Sequence, residues 1–462
     1  MVFSSLYFFF YYLAAVLVLY YITPLKLRNA VLLVFNLIFY GWGEPIYLFL
    51  MLATVAGDYA AGLIIARCQA RGNQRGAKIT VGAAVAFNLG LLFFFKYWNF
   101  LAGVLPLPVI EGLSLPIGIS FYTFQAVSYP VDVYRGDARP QKNPISFATF
   151  VTLFPQLIAG PILKYKDLDR QLDQRDYKVE QFASGVQIFV VGFAKKVLLA
   201  NNLGQLWEYY HTLPAGQLTT AGAWLGIIAF SLQLYFDFSG YSDMAVGLGR
   251  MLGFEFMCNF HYPLISRSLT EFWRRWHISL GTWFREYLYI PLGGNRVSRP
   301  RLFFNLMLVW AATGIWHGAN WNFLLWGLYF GVLLIVEKSF LLAWLERLPL
   351  PLQHLYALFF VHVSWAIFAV EDLPQLGAYL AALFGMAQGG AVNGAFFYYL
   401  RSFLPMLCIA ALAATPLPTA LWRALPNKGK KVLLPALLLA GLFLCTAYLV
   451  DGTYNPFLYF KF

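Results

Sequence analysis

Apolar runs of 16 to 22 residues recur along this chain, and they decide what it can fold into. A helix needs about 20 such residues to cross roughly 30 Å of hydrocarbon. In that medium every backbone polar group must be satisfied within the protein. The runs are continuous rather than alternating with period two, which argues against a β-barrel. Composition agrees, since 60% of the 462 residues are hydrophobic and only 12% are charged, about half the charge of a soluble domain. The expected fold is an all-α polytopic membrane protein with about 11 transmembrane helices plus re-entrant and interfacial helices. It is expected to form one integral-membrane domain over residues 1–462.

The net charge of +12 reads as topology rather than as a nucleic-acid footprint, because the basic residues gather in short loops. No nucleic-acid partner is expected. The link 67–78, RCQARGNQRGAK, carries four positive charges and no acid. That composition puts it in the cytoplasm and the N-terminus outside. The stretch 422–431, WRALPNKGKK, is basic in the same way. The region 375–418 therefore crosses an odd number of times, as one full crossing plus a partial one. The opening MVFSSLYFFFYYLAAVLVLYYI lacks a basic n-region and a small-residue cleavage site, and reads as a retained helix. Cys68, Cys258, Cys408 and Cys445 are scattered without CxxC or metal spacing, as buried free thiols are. No metal is expected.

Helices are expected near 2–22, 28–41, 45–66 and 79–98. The segment 116–134 is apolar but holds Ser, Thr, Gln and Pro130, which places it inside the bundle rather than against lipid. Residues 146–162, broken by Pro155, Gly160 and Pro161, read as re-entrant, and Lys164 to Glu180 as a solvated helix. Helices 182–200 and 219–236 follow, joined by an outer loop with Trp207 and His211. In GLGRMLG, no strand precedes the glycines, so a dinucleotide site is excluded. Gly249 and Gly253 instead predict a close helix contact. Asp237 and Asp243, carboxylates in apolar sequence, predict a cavity or an internal pair with a nearby Arg.

The chemistry concentrates between Asn259 and Asn320. Residues 259–301 carry seven Arg, no Lys and two Glu, and half of the 14 Trp lie between Trp273 and Trp326. His277 sits in EFWRRWHISL, and His317 follows one apolar helix later in TGIWHGANW. A histidine in an apolar bundle is kept neutral by desolvation, the form a general base requires. A satisfied core histidine has the same local sequence. Arg267, Arg274, Arg275 and Arg285 suit a positive-inside surface. Their interleaving with Trp273, Trp276 and Trp283 equally suits a pocket for phosphate and an aromatic or acyl group.

YFDFSGYSDMAVGLGRMLGF, SRSLTEFWRRWHISLGTWFREYLYIPLGGNR and TGIWHGANWNFLLWG resemble the membrane-bound O-acyltransferase (MBOAT) superfamily. Among its members they look most like the bacterial branch that O-acetylates exopolysaccharides. The opening MVFSS and the closing YFKF extend the resemblance over nearly the whole chain. It implies the MBOAT fold, a helical ring around a tunnel, with a catalytic core at about 235–336 in the bacterial plasma (inner) membrane. It carries the catalytic histidine onto His317 and the second signature histidine onto His277, where many eukaryotic relatives have Asn.

The resemblance further implies an O-acetyltransferase that takes acetyl from cytoplasmic acetyl-CoA and delivers it outside for polysaccharide modification. His317 is then the base, with His277 and Asn320 orienting it or stabilising the oxyanion. Arg274 and Arg275, with Trp273 and Trp276, hold the CoA. The partners implied are membrane lipids, a polysaccharide acceptor and a secreted or periplasmic SGNH-hydrolase-like acetyltransferase. Peptidoglycan or cellulose as acceptor, and D-alanyl transfer, remain alternatives. A transporter would commonly show paired repeats, and none is visible; a non-catalytic scaffold is the other rival. In the tail, Phe457, Tyr459 and Phe462 fit Phe-x-Tyr-x-x-Phe, similar to a motif in small membrane peptides that serve the D-alanylation relatives. The tail reads either as an interfacial aromatic anchor or as a relay in which Tyr459 carries acetyl as a transient ester.

Topology is directly testable. In a cysteine-free background, Ala70→Cys should resist an impermeant thiol reagent applied from outside and label only after permeabilisation. External labelling would invert the whole arrangement.

Overall fold

The computed structural model describes residues 3–452, 454–456 and 458, all of them helical or irregular, with no strand among them. The helices are α1 (Phe8–Ile22), α2 (Arg28–Gly41), α3 (Tyr47–Ala70), α4 (Gln74–Ala102), α5 (Ile119–Arg135), α6 (Pro144–Thr152), α7 (Phe154–Leu157) and α8 (Tyr165–Asp173). They continue with α9 (Val179–Thr212), α10 (Thr220–Met251), α11 (Leu269–Arg275), α12 (Ile278–Phe284), α13 (Arg299–His317) and α14 (Trp321–Leu345). The chain ends through α15 (Leu350–Ala369), α16 (Leu373–Leu383), α17 (Gly394–Ala413), α18 (Leu417–Ala424) and α19 (Asn427–Asp451). Among the described residues, eight helices are long and apolar enough to cross a membrane: α3, α4, α9, α10, α14, α15, α17 and α19. Helices α1 and α16 are shorter apolar elements. The region 375–418 holds one helix of spanning length, α17, beside the short apolar α16.

The chain forms two compact units, residues 1–189 with 241–257, and residues 190–240 with 258–462. In the first unit α3, α4 and α5 pack on one another. Helix α5 is buried from Ile119 to Pro130, the interior position its polar residues require. Ser128 Oγ donates to Gln125 O at 2.6 Å and accepts from Tyr165 N at 2.9 Å, while Asp132 Oδ2 accepts from Lys166 N at 3.2 Å. Segment 146–162 is broken as its prolines demand. Helix α6 has nine residues, roughly 14 Å at 1.5 Å per residue, about half the hydrocarbon thickness.

Several local expectations change. The helix expected over 164–180 stops at Asp173. Beyond it Tyr177 meets the Tyr20 hydroxyl at 2.9 Å and Arg175 binds Asn29, so tertiary partners take the segment out of helical form. The outer loop expected at Trp207 and His211 is instead the end of α9, where the two rings stack at 4.8 Å. Gly249 and Gly253 do not make a helix contact. Gly249 faces the Phe256 ring, and Gly253 takes φ +85 where the helix ends. The close approaches of α9 to α10 are made by Gly185 against Gly247 and by Gly192 against Gly240, where a Cβ would come within 2.7 Å of the facing carbonyl. Asp237 pairs with Lys196 at 2.8 Å rather than with an arginine. Of the four free cysteines only Cys445 is buried.

The second unit is built on aromatic packing. Trp207, Phe230, Phe272, Trp276, Trp326 and Trp365 share one core with the inner faces of α10, α14 and α15. Helices α13 and α14 form a tight hairpin on it. A Cβ on Gly314 would lie 2.3 Å from Phe323 O, and one on Gly327 would lie 2.4 Å from Trp310 O. The two backbones are in van der Waals contact there, as small residues permit between membrane helices. Gly314→Ala and Gly327→Ala should each destabilise the protein by about 1–3 kcal/mol, the usual cost of overpacking. Gly82→Ala, which meets nothing within 4 Å, should not. Thermal unfolding in detergent checks this; equal midpoints for all three would show that the hairpin tolerates separation.

Candidate active site

His277 stands at the junction of α11 and α12. Ser268 caps α11 by accepting from Glu271 N at 3.1 Å. The buried Glu337 carboxylate accepts from Leu269 N at 2.8 Å and Thr270 N at 2.7 Å. A carboxylate on these first amides compensates both the orphan donors and the helix dipole. The chain then turns at His277, which has φ 45 and ψ 53. This left-handed conformation costs an L-residue roughly 1–2 kcal/mol. Asn259 offsets it: its carbonyl accepts from Ile278 N at 3.0 Å, and its Oδ1 from Ser279 N at 3.1 Å and Ser279 Oγ at 2.9 Å.

The same Oδ1 lies 3.3 Å from His277 Nδ1. An amide oxygen only accepts, so Nδ1 carries the proton and Nε2 the lone pair. His277 is 2% exposed, with the Phe238 ring edge-on at 4.7 Å. Burial pushes its pKa down to about 3, so the imidazole is neutral throughout the physiological range.

His317 ends α13 and is 6% exposed. Three rings hold it edge-on: Trp316 at 5.1 Å, Trp326 at 5.1 Å and Phe368 at 5.2 Å. Phe368 is fixed in turn by Asn322, whose Nδ2 donates to Ile367 O at 3.2 Å and Phe368 O at 2.9 Å. Asn320 caps α14, its Oδ1 accepting from Trp321 N at 2.6 Å. The two histidines share a neighbour in Trp316, whose ring lies 6.2 Å from His277.

A cavity of about 1100 Å³ opens beside His277. Trp273, Arg274, Trp276 and His277 line it together with Trp310, Arg285, Arg296 and Lys338, and no acidic residue is among its lining residues. The four cations are exposed and Trp276 and His277 buried, so the site presents a positive rim and an aromatic inner wall. Such a site suits an anionic ligand with an apolar or aromatic part.

Arg275 does not line the cavity. Its Nη2 pairs with Glu271 at 2.8 Å and its Nη1 donates to His261 O at 3.1 Å. His317 and Asn320 also lie outside the lining, and Tyr459 is outside the described residues. Sequence reading missed Asn259, Glu337, Arg296 and Lys338. Glu337 and Lys338 directly follow the apolar run that ends at Val336, where charge marks a helix end, and nothing in the spacing links Asn259 to His277. Among the described residues no group of three or more His, Cys, Asp or Glu is placed to hold a metal.

A multi-pass helical protein with one buried histidine in the wall of a cationic, aromatic-lined cavity and a second that shares the Trp316 ring with it has the elements of a membrane-embedded acyl-transfer enzyme. Residues 119–371 match the family model of the membrane-bound O-acyltransferases, and the chain belongs to that family. It is 44% identical over 398 residues to the probable alginate O-acetylase AlgI of Azotobacter vinelandii, covering 84% of this chain and 79% of the relative. To the probable alginate O-acetylase AlgI of Pseudomonas putida strain KT2440 it is 39% identical over 490 residues, covering the whole of both. The peptidoglycan O-acetyltransferase of Helicobacter pylori is 33% identical over 386 residues, 76% of this chain and 72% of the relative. The protein is thus a membrane-bound O-acyltransferase.

The cavity separates two arginines that are adjacent in sequence. With coenzyme A as a phosphate-bearing probe, Arg274→Ala should weaken binding by roughly tenfold, the worth of one charge-assisted contact. Arg275→Ala should leave it within about twofold. Titration calorimetry on the purified variants distinguishes them; the reverse order would place the ligand on the other face of α11.

Proposed function

We propose that this enzyme takes acetyl from acetyl-CoA on the cytoplasmic side of the bacterial inner membrane and passes it outward for O-acetylation of an alginate-type exopolysaccharide. The observation that carries the proposal is the cavity of Arg274, Arg285, Arg296 and Lys338 with His277 in its wall and no acid in its lining. Phosphates of a CoA ester fit the cationic rim, and the indoles of Trp273, Trp276 and Trp310 suit its adenine, pantetheine or acyl parts. The higher identity to alginate O-acetylases than to the peptidoglycan enzyme favours the alginate-type acceptor.

In this reading His317 acts as general base. It takes the proton of the accepting hydroxyl while that oxygen attacks the thioester carbonyl carbon. The C–S bond then breaks, and the thiolate leaves with the proton returned by His317. His277, held in one tautomer by Asn259, and Asn320 orient the reacting groups and stabilise the developing oxyanion. The accepting hydroxyl is that of Tyr459, which carries acetyl as an ester to a secreted SGNH-hydrolase-like acetyltransferase; that partner completes transfer to the polymer. A relay splits one transfer across the membrane into two steps, and it removes any need for acetyl-CoA outside the cell.

Loss of a general base costs roughly 10²–10⁴ in rate. His317→Ala should therefore lose acetyl transfer from labelled acetyl-CoA by at least about a hundredfold, with an unchanged unfolding midpoint. Turnover within twofold of wild type would remove His317 from the mechanism.

A further inference from the structure

The second unit contains a buried ion pair that the acyl-transfer site does not use. Lys196 Nζ and Asp237 Oδ1 are 2.8 Å apart, with side chains 3% and 2% exposed. Lys196 lies in a π-helical stretch of α9, Lys195–Ala200, the kind of local departure from α-helix that recurs at functional positions. An isolated pair of this kind contributes little net stability after desolvation. This one is not isolated, because residues beyond α19 lie on it.

Each partner of the pair holds one main-chain group of that segment. Lys196 Nζ donates to Pro456 O, and Asp237 Oδ2 accepts from Leu458 N at 2.9 Å. Asn201 ties the two together: its Oδ1 accepts from Lys196 Nζ at 2.8 Å, and its Nδ2 donates to Asn455 Oδ1 at 3.2 Å. Leu458 is buried, and the Tyr454 hydroxyl bonds the Gln233 side chain. Gly204 leaves room for that contact, since a Cβ there would come within 2.5 Å of Gln233 Nε2 and 2.8 Å of the Tyr454 hydroxyl. One charge thus reads a carbonyl and the opposite charge reads the amide two residues on. Main-chain recognition of this form sets register, while Tyr454 and Leu458 add side-chain selection.

We propose that Lys196 and Asp237 form an internal docking site for a peptide segment of this chain, occupied through residues 454–456 and 458. They are positioning residues for the acceptor half of the reaction. This second statement rests on the relay reading, in which Tyr459 accepts the acetyl group. The dock fixes the register of residues 454–456 and 458 independently of where α19 ends.

Hydrogen exchange on the full-length protein in detergent tests the dock without reference to activity. The Leu458 amide, donated to a buried carboxylate, should be strongly protected in wild type. In Lys196→Met/Asp237→Leu, which removes both charges and leaves neither uncompensated, its exchange should accelerate by roughly 100-fold, as for a segment that opens locally. Amides of α14 should keep their protection. Gly204→Ala, which crowds Tyr454 without touching the pair, should accelerate the same amide and serves if the double variant does not fold. Unchanged Leu458 protection in the folded variants overturns the dock.

Kinetics separate the second statement. The variants should keep the KM for acetyl-CoA and lose kcat toward the external acceptor by roughly tenfold or more, as Tyr459→Phe should. Release of the segment with full transfer retained would leave the dock standing and refute the relay.

Discussion

Backbone contact between Gly314 and Gly327 is the constraint on which the histidine-bearing hairpin depends. Within lipid, apolar side chains gain little by leaving hydrocarbon for protein, so helices associate through close packing. Side chains at these two positions would drive α13 from α14, and His317 would move with the end of α13. The ring contacts from Trp326 and Phe368 come from α14 and α15. They presuppose that the hairpin is already closed. Asn322, in the first turn of α14, then ties α15 to it through two main-chain carbonyls.

The second unit also shows how polar groups are retained in an apolar interior. Several are matched to a specific main-chain or side-chain partner, because leaving a buried polar group unmatched is costly. Glu337 saturates the first amides of α11. Asn259 holds the strained backbone at His277 and selects its tautomer. Asp237 and Lys196 neutralise each other and hold residues 456 and 458. The same bonds that satisfy buried groups therefore fix the orientation of the groups suited to chemistry.

Charge is used twice. The excess of Arg and Lys over acids fits the orientation of a membrane protein, and four of those cations also rim one cavity. The cavity lining is selected by folding rather than by local composition. Arg274 reaches it, whereas Arg275, one residue on, is neutralised by Glu271 across one helical turn. A cationic rim suits an anionic ligand while the imidazole in the wall stays neutral.

The sequence by itself determined the class of fold, because hydrocarbon admits so few backbone arrangements that continuous apolar runs suffice to name one. It also marked the stretch with the candidate site residues, since Arg, Trp and His in dense alternation are costly in a membrane without work to do. Helix identities such as Arg28–Gly41 followed from the same runs. Helix lengths were less legible: α9 continues through Trp207 to Thr212, and α10 runs unbroken from Thr220 to Met251, because packing extends helices past the point where composition turns polar. The tertiary structure alone decided which arginine faces the cavity, which lysine neutralises Asp237, and that Asn259 holds His277. Those choices depend on side-chain direction and on contacts between residues up to hundreds of positions apart, and neither periodicity nor spacing encodes them.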